Sequence, residues 1–120
     1  MEWEIEHTDE FEGWWNTLSE EEQMEITGSV EILTAKGPTL PFPLSTGIKS
    51  SKHDHMRELR IQIKGNPYRI FYAFDPRRTA ILLIGGDKTG DDRFYETFVP
   101  IADNLYDTHL IELAKEGLIK

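Results

Sequence analysis

Between Met56 and Lys88 the chain reads MRELRIQIKGNPYRIFYAFDPRRTAILLIGGDK, and seven of its thirteen Lys and Arg residues fall there. Ammonium and guanidinium groups grip phosphate, and arginine does so with two parallel hydrogen bonds. The same stretch alternates like β-structure, so strand parity sorts its cations. In 57–64, Leu59, Ile61 and Ile63 share one face, and Glu58, Arg60, Gln62 and Lys64 share the other. In 68–74, Ile70, Tyr72 and Phe74 lie opposite Arg69, Phe71 and Ala73. If the apolar sets face the core, Arg60, Lys64 and Arg69 converge on an open face. Arg57 and Lys88 stand at its margin, and His53 lies in the loop just before it. Phe71, Phe94 and Tyr95 could interleave with the cations. Cations beside exposed aromatics suit single-stranded RNA, which needs salt links to phosphate and flat surfaces for bases. The alternative is a solvated face whose arginines pair with Glu58 and other carboxylates.

The elements that must position these groups follow from periodicity. Trp3, Ile5 and His7 alternate with Glu2, Glu4 and Glu6, a half-buried strand with a charged outer side. Phe11, Trp14, Trp15 and Leu18 then recur at helical spacing after a cap at Thr8 or Asp9. SEEE at 19–22 is a capping box and opens a second helix, which ends at Gly37 and Pro38. Residues 39–55 read as a loop, broken by Pro41 and Pro43. Strands follow at about 57–63 and 68–75, with Gly65 and Asn66 suited to a tight turn between them. TAILLIGG has no polar alternation, so it reads as a central strand covered on both faces. A partly helical tail runs from about Asp92 to Ala114, with Ile101, Leu105, His109 and Leu113 on one stripe. The expectation is one α+β domain over 1–120, in the order β-α-α-β-β-β-α, with a helical hairpin on one face of an antiparallel-rich twisted sheet.

Charge is segregated along the chain. Residues 1–35 hold eleven Asp or Glu and no Lys or Arg, whereas 36–93 hold eleven Lys or Arg against six Asp or Glu. A basic face can therefore attract phosphate on a protein whose net charge is -9. The absence of cysteine excludes disulfides and thiolate zinc sites and fits a reducing cytoplasm. MEWEIEH is not a signal peptide, and AILLI at 80–84 is far too short to span a bilayer, so no membrane role is expected. His53, Asp54 and His55 lie together in a loop but do not define metal geometry. GGDKTG lacks the glycine that a phosphate loop needs before its lysine, where Asp87 stands instead.

From MRELRIQ through PYRIFYAFDPRR to AILLIGGDKTGDDRFYE the sequence resembles the RelE/ParE superfamily of bacterial toxins, most nearly its HigB-like, phage-related branch. The resemblance spans nearly the whole chain and is strongest over 53–110. It implies the toxin of a type II toxin–antitoxin module, with a helix-turn-helix antitoxin as partner. Many RelE and HigB members cut mRNA on the ribosome without a metal or other cofactor, whereas ParE members poison DNA gyrase. On that resemblance, Arg69 and Lys88 would stabilise charge on the reacting phosphate, and Arg57 and Arg60 would hold the RNA backbone with Lys64 and Phe71 beside them. Tyr95 would stack a base or help move a proton, and His53 would serve acid–base chemistry. Lys88 stands where arginine is more usual, and Asp91 and Asp92 place negative charge nearby. A member that only binds its antitoxin is the remaining alternative.

Overall fold

Ser19 starts the second helix as its spacing to Glu22 predicts. Its hydroxyl accepts from the Glu22 backbone N–H at 3.1 Å, and the Glu22 carboxylate accepts from the Ser19 N–H at 2.8 Å. The computed structural model describes residues 2–120. Strand β1 (Ile5–His7) leads into α1 (Asp9–Trp15), whose cap is Thr8, and then α2 (Glu20–Lys36). After a single 3-10 turn come β2 (Ser45–Gly47), β3 (Arg57–Ile63), β4 (Asn66–Phe74) and β5 (Ala80–Asp87). Helix α3 (Phe94–Lys115) completes the chain. One five-stranded sheet results, in the order β1-β5-β4-β3-β2, antiparallel except where β1 runs parallel to β5.

Both faces of that sheet are covered. Phe11, Ile26 and Leu33 from α1 and α2 pack on Leu59, Ile61, Ile70, Tyr72 and Leu82. On the other face Phe94, Val99, Ala102 and Tyr106 from α3 pack on Phe71, Ala73, Ile81 and Leu83. The unbroken hydrophobicity of β5 is explained by this double cover. The open face drawn from parity is therefore closed over much of its area. Parity says which side chains share a face, not whether a distant helix returns to cover it.

Three local expectations also move. Ser45–Gly47, read within a loop, forms the edge strand β2 against β3. The β3–β4 turn is one residue earlier than read: Ile63 pairs with Asn66, and Lys64 and Gly65 take φ of 51° and 81°. That is the left-handed pair of a two-residue hairpin turn. The buried stripe of α3 is Val99, Ala102, Tyr106 and Leu113, while Ile101 faces solvent. The sheet demands the Ala102–Tyr106 side because Ala102 lets the helix approach closely. Gly85 serves the opposite face in the same way, since a Cβ there would lie 2.3 Å from the Trp14 ring. Among the described residues no helix is long and apolar enough to cross a membrane.

Candidate functional site

Arg60 and Arg69 face each other directly across β3 and β4. Like charges in opposed sheet positions repel, so this pair does not stabilise the sheet by itself. Glu58 lies two residues before Arg60 on the same face and sits between the two cations. Its carboxylate is 3.4 Å from Arg69 Nε and 3.7 Å from Arg60 Nη1. Two neutral donors complete its shell: Tyr95 Oη at 2.7 Å, from the first turn of α3, and Thr46 Oγ1 at 2.9 Å, from β2. Four elements thus converge on one carboxylate that is 4% exposed.

Arg69 is itself only 7% exposed. Its Nη1 donates to the Tyr68 carbonyl at 3.0 Å and its Nε reaches Tyr95 Oη at 3.3 Å. Gly86 stands opposite it on β5, where a Cβ would press on Phe94 and Phe98 at 3.0–3.1 Å. Burial raises the pKa of the Tyr95 phenol, and its hydrogen bond to Glu58 raises it further, which keeps the proton on oxygen. Lys88 follows β5 and places Nζ 5.8 Å from the centroid of the Tyr95 ring. Its own backbone N–H donates to the Pro67 carbonyl at 2.8 Å, which fixes the start of that loop. The arrangement offers two arginines and one lysine for phosphate, a carboxylate able to accept a proton and a phenol able to donate one.

The other expected residues lie elsewhere. Arg57 pairs in register with Tyr72 and so faces α2, donating from Nε to Ser45 Oγ at 2.9 Å. Lys64 sits in the hairpin turn and pairs with Glu21 of α2 at 3.0 Å. Phe71 and Phe94, read as exposed stacking surfaces, are core residues under α3 with 0% and 1% exposure. His53 bonds Asp107 at 2.8 Å and lays its ring edge-on to Tyr106. Asp107 is twelve residues along α3 from Tyr95, or about 18 Å of helix, so His53 belongs to a separate network. His55 joins that network through Tyr106 Oη at 3.0 Å. Among the described residues no cluster of His, Asp and Glu is placed to hold a metal ion.

Glu58 and Thr46 were missed as members of the site. Glu58 was legible as a same-face neighbour of Arg60 in RELR and was assigned to ion pairing alone. Thr46 carried no local signal, because its position depends on the β2–β3 pairing.

Comparison with known proteins agrees with this architecture. The family described as "Phage derived protein Gp49-like (DUF891)" matches residues 13–107, which include the whole Glu58–Arg69–Lys88–Tyr95 cluster. The chain is 42% identical over 93 residues to the candidate toxin HigB3 of Mycobacterium tuberculosis (strain ATCC 25618 / H37Rv), covering 77% of this chain and 80% of that protein. It is 36% identical over 101 residues to the candidate toxin HigB2 of the same organism, covering 82% of this chain but only 50% of that longer protein. The free-state structure of an arginine-to-alanine double mutant of E. coli toxin RelE superposes with a TM-score of 0.57 at 9% identity. That superposition covers 82% of this chain and 96% of RelE and shows a shared fold. The chain belongs to the Gp49-like family of phage-derived proteins and to the HigB-like toxins, and it shares the fold of RelE.

Proposed function

We propose that the protein is the toxin of a type II toxin–antitoxin module and that it cuts translated mRNA in the cytoplasm. In this reading the ribose 2′-OH attacks the adjacent phosphorus, forming a 2′-O–P bond while the P–O5′ bond breaks. The products are a 2′,3′-cyclic phosphate and a free 5′-OH. Glu58 takes the 2′-OH proton, and Tyr95, kept protonated by burial and by Glu58, supplies a proton to the departing O5′. Arg69 and Lys88 stabilise the charge that grows on the phosphorane oxygens, and Arg60 holds the chain. RNA must part Tyr95 from Glu58, because the two are bonded to each other in the free protein. The observation that carries this reading is the opposed Arg60–Arg69 pair gathered with Tyr95 around one carboxylate. The partner is a cognate antitoxin, for which a helix-turn-helix DNA-binding protein is the expected form.

Cleavage of mRNA during translation by the purified protein is the test. Wild type should cut, Lys88→Ala should lose roughly 10²–10³ in rate as a charge-stabilising donor goes, and Lys88→Arg should retain activity. Expression without the antitoxin should arrest growth. Intact mRNA with wild type refutes the nuclease reading. A second reading then takes its place, in which the chain acts by binding, either to gyrase in the ParE manner or to its antitoxin alone. The deep burial of the Glu58–Arg69 pair favours that reading, since an ion pair so enclosed is also what a purely structural role would produce. Supercoiling assays separate its two forms.

A further inference from the structure

Phe42 is the one exposed aromatic side chain among the described residues, at 71% exposure, although the chain carries thirteen aromatics. It sits in LPFPL at 40–44, between two prolines that each fix a backbone φ. The segment is anchored at both ends. Leu40 is buried at 2% exposure, and the Leu44 carbonyl accepts from the Arg60 N–H at 2.9 Å, extending the β2–β3 pairing. A single exposed apolar side chain is ordinary by itself. What sets this one apart is its neighbour. The Arg60 guanidinium carbon lies 5.8 Å from the ring centroid, and the same guanidinium reaches Glu58 at 3.7 Å. Phe42 therefore stands at the rim of the Glu58–Arg69–Tyr95 cluster, one arginine away from it.

We propose that Phe42 is the stacking platform for a nucleobase of single-stranded RNA, next to the phosphate held by Arg60. This rests on the mRNA-cleavage reading. A phenyl ring stacks with any base and carries no sequence code, and a cation beside it can hold the attached phosphate. Flanking prolines restrict the backbone on either side of the ring, which lowers the ordering cost of binding. The sequence-level choice of Phe71 and Phe94 for this task fails because both lie under α3.

The test uses a 2′-O-methyl mRNA, which cannot be cut by 2′-OH attack, carrying 2-aminopurine at successive positions. It is offered free and on ribosomes to wild type, Phe42→Leu, Phe42→Trp and Arg60→Ala, each checked for an unchanged melting curve. Phe42→Leu keeps an apolar side chain without a π-face, and it should bind about 5- to 150-fold more weakly. Stacking quenches 2-aminopurine, so quenching at one position should vanish in Phe42→Leu and persist in Phe42→Trp. The salt dependence of affinity should be unchanged in Phe42→Leu, whereas Arg60→Ala should flatten its slope by about 0.7 as one phosphate contact is lost. Undiminished binding and quenching by Phe42→Leu would overturn the platform and leave the nuclease reading standing. Absence of binding by wild type, both free and on ribosomes, overturns the platform together with the RNA reading. Should Phe42→Leu instead weaken only the hold on the antitoxin, the ring serves protein docking and the proposal is wrong.

Discussion

Replacing Arg69 tests whether the cluster is a buried electrostatic unit. An arginine on an open face could be lost with little change in stability. Here it is enclosed, and it is the nearer of the two cations on Glu58. Its removal leaves a carboxylate that is 4% exposed with two neutral donors and one cation at 3.7 Å. Breaking a buried pair by deleting one partner typically costs about 3–5 kcal/mol. Because Tyr95 and Thr46 remain bonded, the low end applies, about 3 kcal/mol for Arg69→Ala. With an unfolding entropy of about 2.1 cal/mol/K per residue, that corresponds to a fall of roughly 12 °C in Tm for a chain of this length. Urea unfolding of Arg69→Met, Glu58→Gln and the double variant should then show a coupling of about 1–3 kcal/mol, since the double variant buries no charge. If the double variant regains stability but does not cut mRNA, its missing activity reports chemistry and not misfolding. An Arg69→Met midpoint equal to wild type, or additive single effects, would refute the buried pair.

Other expectations follow from the same geometry. Lys64→Asn should leave cleavage unchanged and alter stability by about 1 kcal/mol or less. Asparagine tolerates the φ of 51°, and the lost Lys64–Glu21 pair is exposed, which a urea curve and a cleavage assay will check. Arg77→Ala should lower stability at neutral pH and weaken its dependence on acid. Burial pushes Asp75 up, yet hydrogen bonds from Arg77 and His109 outweigh it and hold the carboxyl below its ordinary value. A depressed carboxyl contributes stability above its unfolded pKa, about 3.9, and that contribution is lost as pH falls through the folded value. Without Arg77 the folded value rises toward the unfolded one, so the variant's urea midpoint should lie below wild type at neutral pH and change less than wild type's as pH is lowered. Gly85→Ala should cost about 1–3 kcal/mol, because its Cβ meets the Trp14 ring at 2.3 Å, and tryptophan fluorescence should report the displacement.

Much of the fold was legible because its signals are local. The Ser19–Glu22 box, the Gly37–Pro38 stop and the apolar run of β5 each act within a few residues. Strand parity also placed Arg60 and Arg69 on one face, with Lys88 at its margin and Tyr95 beside the cations; the structure gathers Arg60, Arg69 and Tyr95 around Glu58 and sets Lys88 against the Tyr95 ring. Parity carried to the end would also have set Arg57 apart, since it shares its face with Leu59. Lys64 was lost to the site because the turn begins at it, and positive φ takes a side chain out of strand alternation.

The sequence by itself determined the order of elements, the period of each strand and the presence of a cation-rich face. Covalent geometry enforces those periods wherever the strand lies. Only the tertiary structure decided what covers that face. Helix α3 returns from the far end of the chain and buries Phe71, Ala73, Ile81 and Leu83, contacts between residues widely separated in sequence. That packing takes Phe71 and Phe94 away from any ligand, draws His53 to Asp107 and leaves Phe42 as the exposed aromatic at the rim. It also encloses Arg69 with Glu58, because a charge that loses water to an arriving helix must find its counter-charge within the same enclosure.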